Sequence, residues 1–215
     1  MSVQLPNGAI VSIATALAAA IAVSAATNAS EAVLTTATNT YSAGDFVLYS
    51  SGWSKANDRV FRVKTATGTS VTLEGFDTAN TDNYPAGSGA GSLRKVTTWQ
   101  QISQILEWTG EGGDMQTTKY QFLEADAENE ISTVASASAI NYTLADDVTN
   151  PGYLAIKAIS DVRGAAPLRV SLTSGAKLLF QVGVRINPIP TMTKNEVMGV
   201  VGRLSIKGEV VRYAS

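Results

Sequence analysis

The chain has 215 residues, 45% of them hydrophobic and 16% charged, and a net charge of −2. That balance allows one large β domain or two small ones with a substantial core, and it excludes a disordered chain and the basic footprint of a tight nucleic-acid binder. Neither cysteine nor histidine occurs, which removes disulfides, thiolate chemistry, Ser-His and Cys-His nucleophile pairs and the usual zinc ligands.

The first stretch, Ala9 to Ala26, is apolar and alanine-rich, and Ala22-Val23-Ser24-Ala25-Ala26 resembles a signal-peptidase site. A signal peptide needs a positive n-region, and the first Lys or Arg is Lys55. Ser12, Thr15 and Ser24 disfavour a membrane span. The stretch reads as small-residue strands: Val11, Ile13, Thr15 and Leu17 alternate, and a second run covers Ala20 to Ala26. Short β runs follow at Ala32–Thr36, Asp45–Ser50, Arg59–Thr65 and Ser70–Glu74. Turn residues at Ser42-Ala43-Gly44, Ser51-Gly52 and Thr67-Gly68-Thr69 separate them, as in a small barrel or sandwich. Asp77 to Ser92, rich in Gly, Ala, Asn and Ser, is the linker candidate. Within it, Gly87-Ser88-Gly89-Ala90-Gly91 lacks the strand and helix that a phosphate-binding loop requires.

Thr98 to Asp126 reads as a long hairpin: a strand, a glycine-rich tip (Gly110-Glu111-Gly112-Gly113-Asp114) and a second strand with an acidic tail. Glu124, Asp126, Glu128 and Glu130 recur every second residue and would project to one side of an extended chain. Three readings apply: a solvated acidic edge that discourages strand pairing, a surface facing DNA or a neighbouring basic patch, and a calcium site. The last lacks EF-hand spacing.

The remainder is more periodic. Ile140, Tyr142 and Leu144 alternate with polar residues, as do Leu168, Val170 and Leu172. Leu178, Phe180, Val182, Val184 and Ile186 share a face opposite Lys177, Gln181 and Arg185. In the last run, Glu196 to Tyr213, Val200, Leu204, Ile206 and Val210 oppose Arg203, Lys207 and Glu209. These are half-buried antiparallel strands. One helix is predicted over Pro151–Arg163, capped by Asn150 with Pro151 in its first turn. Its apolar stripe is Ala155, Ala158, Ile159 and Val162, and Gly164 would take the left-handed cap. Trp53, Trp99 and Trp108 read as core or interface anchors.

The predicted fold class is mainly β: an antiparallel β-sandwich or barrel flanked by one α-helix, with an early small β module. Residues 1–27 and 93–215 would form the sandwich, and 28–92 an inserted module with its linker. No residue pattern calls for a catalytic site, a cofactor or a metal.

Several segments together resemble a known family. They are Gly44-Asp45-Phe46-Val47-Leu48, Asn57 through Val63, Leu73-Glu74-Gly75-Phe76-Asp77-Thr78 and Tyr84-Pro85-Ala86-Gly87-Ser88-Gly89. Further on come Arg94-Lys95-Val96-Thr97-Thr98-Trp99, Gly112-Gly113-Asp114, Tyr120-Gln121-Phe122-Leu123-Glu124 and the run Pro190 to Met198. In this order they look like a major tail tube protein of a long, non-contractile-tailed bacteriophage. The resemblance implies hexameric rings stacked into a tube, with inner strands joined around a lumen through which the genome is ejected. It implies self-assembly in the host cytoplasm into the virion tail, contact with other tail proteins at the tube ends, passage of DNA without specific binding, and no membrane. Gly110, Glu111, Gly112, Gly113 and Asp114 become candidates for inter-subunit contact, as do the N-terminus and the C-terminal strand. Glu107, Glu124 and Asp126 become candidates for the lumen, and the early module would decorate the outside. Two alternatives stand beside this reading. One is another tail structural protein (terminator, baseplate or adhesin module). The other is a carboxylate-based cell-wall glycoside hydrolase, for which no Asp/Glu pair is favoured by its setting.

Overall fold

The computed structural model describes residues 7–214. The N-terminal contact candidate begins at residues 1–6, which lie outside the described residues. In chain order the elements are β1 (Ile10–Leu17), β2 (Ile21–Ala26), β3 (Val33–Thr36), β4 (Phe46–Ser51), β5 (Arg59–Ala66), β6 (Ser70–Leu73), β7 (Gly91–Ile102), β8 (Ile105–Glu111), β9 (Met115–Tyr120), β10 (Asn129–Ala135), β11 (Ala139–Ala145), α1 (Pro151–Asp161), β12 (Ala165–Ser171), β13 (Lys177–Ile186) and β14 (Gly199–Tyr213). The fold is mostly β, an antiparallel barrel or sandwich with a single helix among the described residues.

Two bodies share strand β7. Its first half closes a six-stranded ring in the order β2-β3-β6-β5-β4-β7, with β2 returning to β7. The ring therefore takes in strands on both sides of the 28–92 segment. A closed ring leaves no open edge. Its interior is filled by Tyr49, Trp53, Phe61, Leu34, Leu73 and Leu93, none more than 1% exposed. The stretch 77–90 is a packed lid on this ring. Thr78 is fully buried, Asn28 Nδ2 donates to Thr78 O at 2.9 Å and Tyr84 O at 2.7 Å, and Trp53 Nε1 donates to Pro85 O at 2.7 Å. Small polar residues there satisfy backbone groups over an aromatic core.

The second half of β7 opens the main sheet, ordered β7-β1-β12-β13-β14-β11-β8. Strands β7 and β8 lie at opposite ends of that order, yet only Ser103 and Gln104 connect them, with Gln104 at φ 59°. The sheet therefore curls on itself, and Ile102 of β7 and Trp108 of β8 meet in one core with Tyr142, Leu168, Phe180 and Val184. The predicted inward face of β13 is the observed one.

Helix α1 packs against β13, β7 and β1. Asn150 accepts a hydrogen bond from Gly152 N at 2.8 Å, as the N-cap role requires. Two details differ from expectation. Arg163, not Gly164, takes the left-handed position, at φ 52°. Gly164 N then bonds to Ile159 O at 2.8 Å and Arg163 N to Ser160 O at 2.9 Å, the two bonds of a Schellman cap. The buried stripe is also rotated: Tyr153 and Ile156 are buried, whereas Val162 is 76% exposed.

The two bodies meet along β5 and the outward face of β13 and β14. Leu48 and Val60 pack on Leu179 and Tyr213, the Tyr213 hydroxyl accepts from Arg62 N at 2.9 Å, and Arg59 pairs with Glu209 at 3.0 Å. Gly208, at φ 69°, bends β14 toward the ring. That bend ends the simple alternation expected for the last strand, and Val210 is 43% exposed. The Arg169 guanidinium lies 4.7 Å from the Trp99 ring centre and 5.4 Å from that of Phe46. Burial there lowers its pKa, so this cation clamps the two bodies through its flat faces.

Candidate assembly surfaces

The segment read as a hairpin from Thr98 to Asp126 has a different connectivity. Strand β8 pairs with β11 and β9 pairs with β10, so β8 and β9 are not partners. The reason lies in Gly112 and Gly113, at φ 78° and 85°. Two successive left-handed residues turn the chain out of the sheet instead of reversing it against β8. At Gly112 a Cβ would fall 2.2 Å from Ala137 O, so only glycine allows the backbones to cross there. Gly110 and Glu111 finish β8, opposite Ile140 and Ala139. Asp114 closes the exit: its N–H donates to Ser136 Oγ at 3.1 Å, and Ser136 N donates to Asp114 O at 2.8 Å. The five residues expected at a hairpin tip form the base of a two-stranded arm.

The arm is β9, a turn over 121–128, and β10. Each strand spans roughly 20 Å at about 3.3 Å per residue. Every residue of both strands is exposed. Its two faces differ. Register puts Thr117 opposite Ser132 and Lys119 opposite Glu130, and Lys119 pairs with Glu128 at 3.0 Å on that polar face. The other face carries Tyr120 and Ile131, with Phe122 edge-on to Tyr120 at 5.3 Å between ring centres. Leu123, at the turn, is fully exposed. The four carboxylates do not line up as an extended chain would present them, because Glu124 and Asp126 sit in the turn, Glu128 ends it and only Glu130 lies in β10. An isolated two-stranded ribbon with uncovered aromatic and aliphatic residues is marginal alone and needs a partner surface.

Two further surfaces lack partners among the described residues. One is the outer edge of β8, a run of backbone N–H and C=O groups with no strand beside it among the described residues. Glu107 stands on it, exposed, opposite Thr143. The other is the connection between β13 and β14, where Ile189, Met192 and Val197 are each at least 67% exposed. The sequence does not reveal β10 as a strand or this connection as a surface. Their apolar residues are spaced irregularly and give no periodic signal.

No cluster of His, Cys, Asp or Glu that could hold a metal occurs among the described residues, and no helix there is long and apolar enough to cross a membrane. Trp53 lies in the ring core, Trp99 at the junction and Trp108 half-buried against Tyr142 at 6.3 Å. A family model described as phage tail tube protein matches residues 51–215. The chain belongs to the phage tail tube protein family. No curated protein matches it. The match spans β5 to β7 of the closed ring, the main sheet apart from β1, the arm and the β13–β14 connection. As a tail tube protein the chain has a structural role in the virion tail, and its family implies assembly with itself and with other tail proteins.

Proposed function

We propose that the protein assembles into hexameric rings that stack into the tail tube, the conduit for genome ejection. The observation that carries this reading is the two-faced arm, both of whose strands are exposed, beside an unpaired sheet edge. Both are costly in an isolated chain, and contacts between copies relieve both. In each ring β8 meets a strand of the adjacent subunit, so that the main sheets join around the lumen, with Glu107 facing it. A carboxylate there repels phosphate and lets DNA slide without specific binding. Glu124 and Asp126, carried away from the sheet on the arm, are assigned to a contact between copies rather than to the lumen. Gly110, Glu111, Gly112, Gly113 and Asp114 serve that contact by aiming the arm. The inserted segment 28–92 decorates the outer wall, other tail proteins bind the tube ends, and assembly takes place in the host cytoplasm. Sedimentation velocity over a range of protein concentrations tests the reading. Species growing in multiples of a ring support it, and a monomer at every concentration contradicts it.

A further inference from the structure

We propose that the arm of one copy docks, by its acidic turn and apolar face, onto the cationic end of the β13–β14 hairpin of a second copy. This rests on the assembly reading above and names the two surfaces that meet. The chain as a whole is nearly neutral, at −2, but its charge is segregated. Residues 115–135 hold four carboxylates against the single cation Lys119, and residues 185–203, the connection end of the hairpin, hold Arg185, Lys194 and Arg203 against the single carboxylate Glu196.

The cationic end is unfinished in the free chain. Arg185 and Arg203 lie directly opposite each other across β13 and β14, an arrangement of like charges that destabilises an antiparallel pair. Arg203 is compensated by Glu111 at 2.7 Å. Arg185 pairs with no carboxylate among the described residues, and its Nη1 donates only to the neighbouring Val184 carbonyl, at 2.6 Å. The two arginines line an open depression of about 320 Å³ with Asn141, Asn187 and Val201. Apolar residues adjoin it: Val201 is 42% exposed and Ile189 70%. On the arm, Glu128 is engaged by Lys119 and Glu130 by the Thr117 hydroxyl. Among the described residues Glu124 and Asp126 have no such partner, and they share the turn with Phe122 and Leu123. Each surface therefore offers charge of one sign next to exposed apolar groups, and each supplies what the other lacks. The contact joins two different patches, so it repeats from copy to copy and closes a ring or extends a stack.

Because the chain has no cysteine, disulfide trapping reads this contact directly. A Leu123→Cys chain is mixed with an Ile189→Cys chain, assembled and oxidised. The expected product is a mixed disulfide between copies. It should be absent when Val162→Cys, equally exposed on the helix end, replaces Ile189→Cys. In parallel, Glu124→Lys with Asp126→Lys, or Arg185→Glu alone, should raise the protein concentration needed for assembly about tenfold, and combining the two sets should restore it. Assembled particles without the mixed disulfide, or an unchanged threshold in the charge variants, would overturn the docking and leave the assembly reading intact. Arg185→Glu assemblies that form normally but no longer retain duplex DNA would assign the cations to a phosphate backbone, and would also overturn it. A wild-type chain that never assembles overturns both.

Discussion

At the residue scale, Gly202 shows how one side chain positions another. It sits on the inward face of β14 opposite Tyr142, and a Cβ there would fall 2.2 Å from the tyrosine hydroxyl. That hydroxyl donates to Arg185 O at 3.1 Å, and burial raises its pKa. Gly202→Ala must displace the buried Tyr142 ring. It should cost about 1–3 kcal/mol, read from the midpoint of chemical denaturation at unchanged slope. The alternation of Val200 and Leu204 made the inward face of this strand legible in the sequence. The ring that occupies the place of the missing side chain was not, because it comes from β11, some 60 residues away in the chain. Arg169 was illegible for the same reason: it reads as an outward-facing charge on β12, and only the ring body folding over the sheet places it between Phe46 and Trp99.

At the element scale, local chemistry was legible and pairing was not. The helix was placed to within two residues because its signals, Asn150, Pro151 and a following glycine, act within a single turn. Asn150→Ala removes the bond to Gly152 N and a contact with Ser103 at 3.0 Å, and should cost about 1 kcal/mol, measurable as a lowered Tm. The arm was misread because a glycine-rich stretch between two β runs predicts a reversal, whereas Gly112 and Gly113 redirect the chain and β8 finds β11 instead. This also selects the clean deletion. Removing Gly110–Asp114 would cut two rungs from the main sheet and the Glu111–Arg203 pair. Excising Met115–Ala135 and joining Asp114 to Ser136 uses ends that are already hydrogen-bonded to each other. That variant should keep the far-ultraviolet circular dichroism of a β protein and a Tm within a few degrees of wild type, because none of its lost residues is buried. It should fail to assemble, as judged by light scattering. Normal assembly of the shortened chain would remove the arm from the account.

At the scale of the whole molecule, the main sheet curls around its own core and leaves the β8 edge open among the described residues, while the smaller ring closes completely. One body is complete and the other invites neighbours. The separation of charge between the arm and β13–β14 predicts that assembly weakens as sodium chloride rises, since the Debye length falls from about 10 Å at 0.1 M to about 3 Å at 1 M. Light scattering at fixed protein concentration should decline over that range. The central claim, that this chain is a tube-forming ring subunit, is tested most directly by electron microscopy of the concentrated, purified protein. The account predicts rings or tubes with a central channel and six-fold class averages. Particles that stay monomeric at every concentration, or oligomers without a channel, would contradict it.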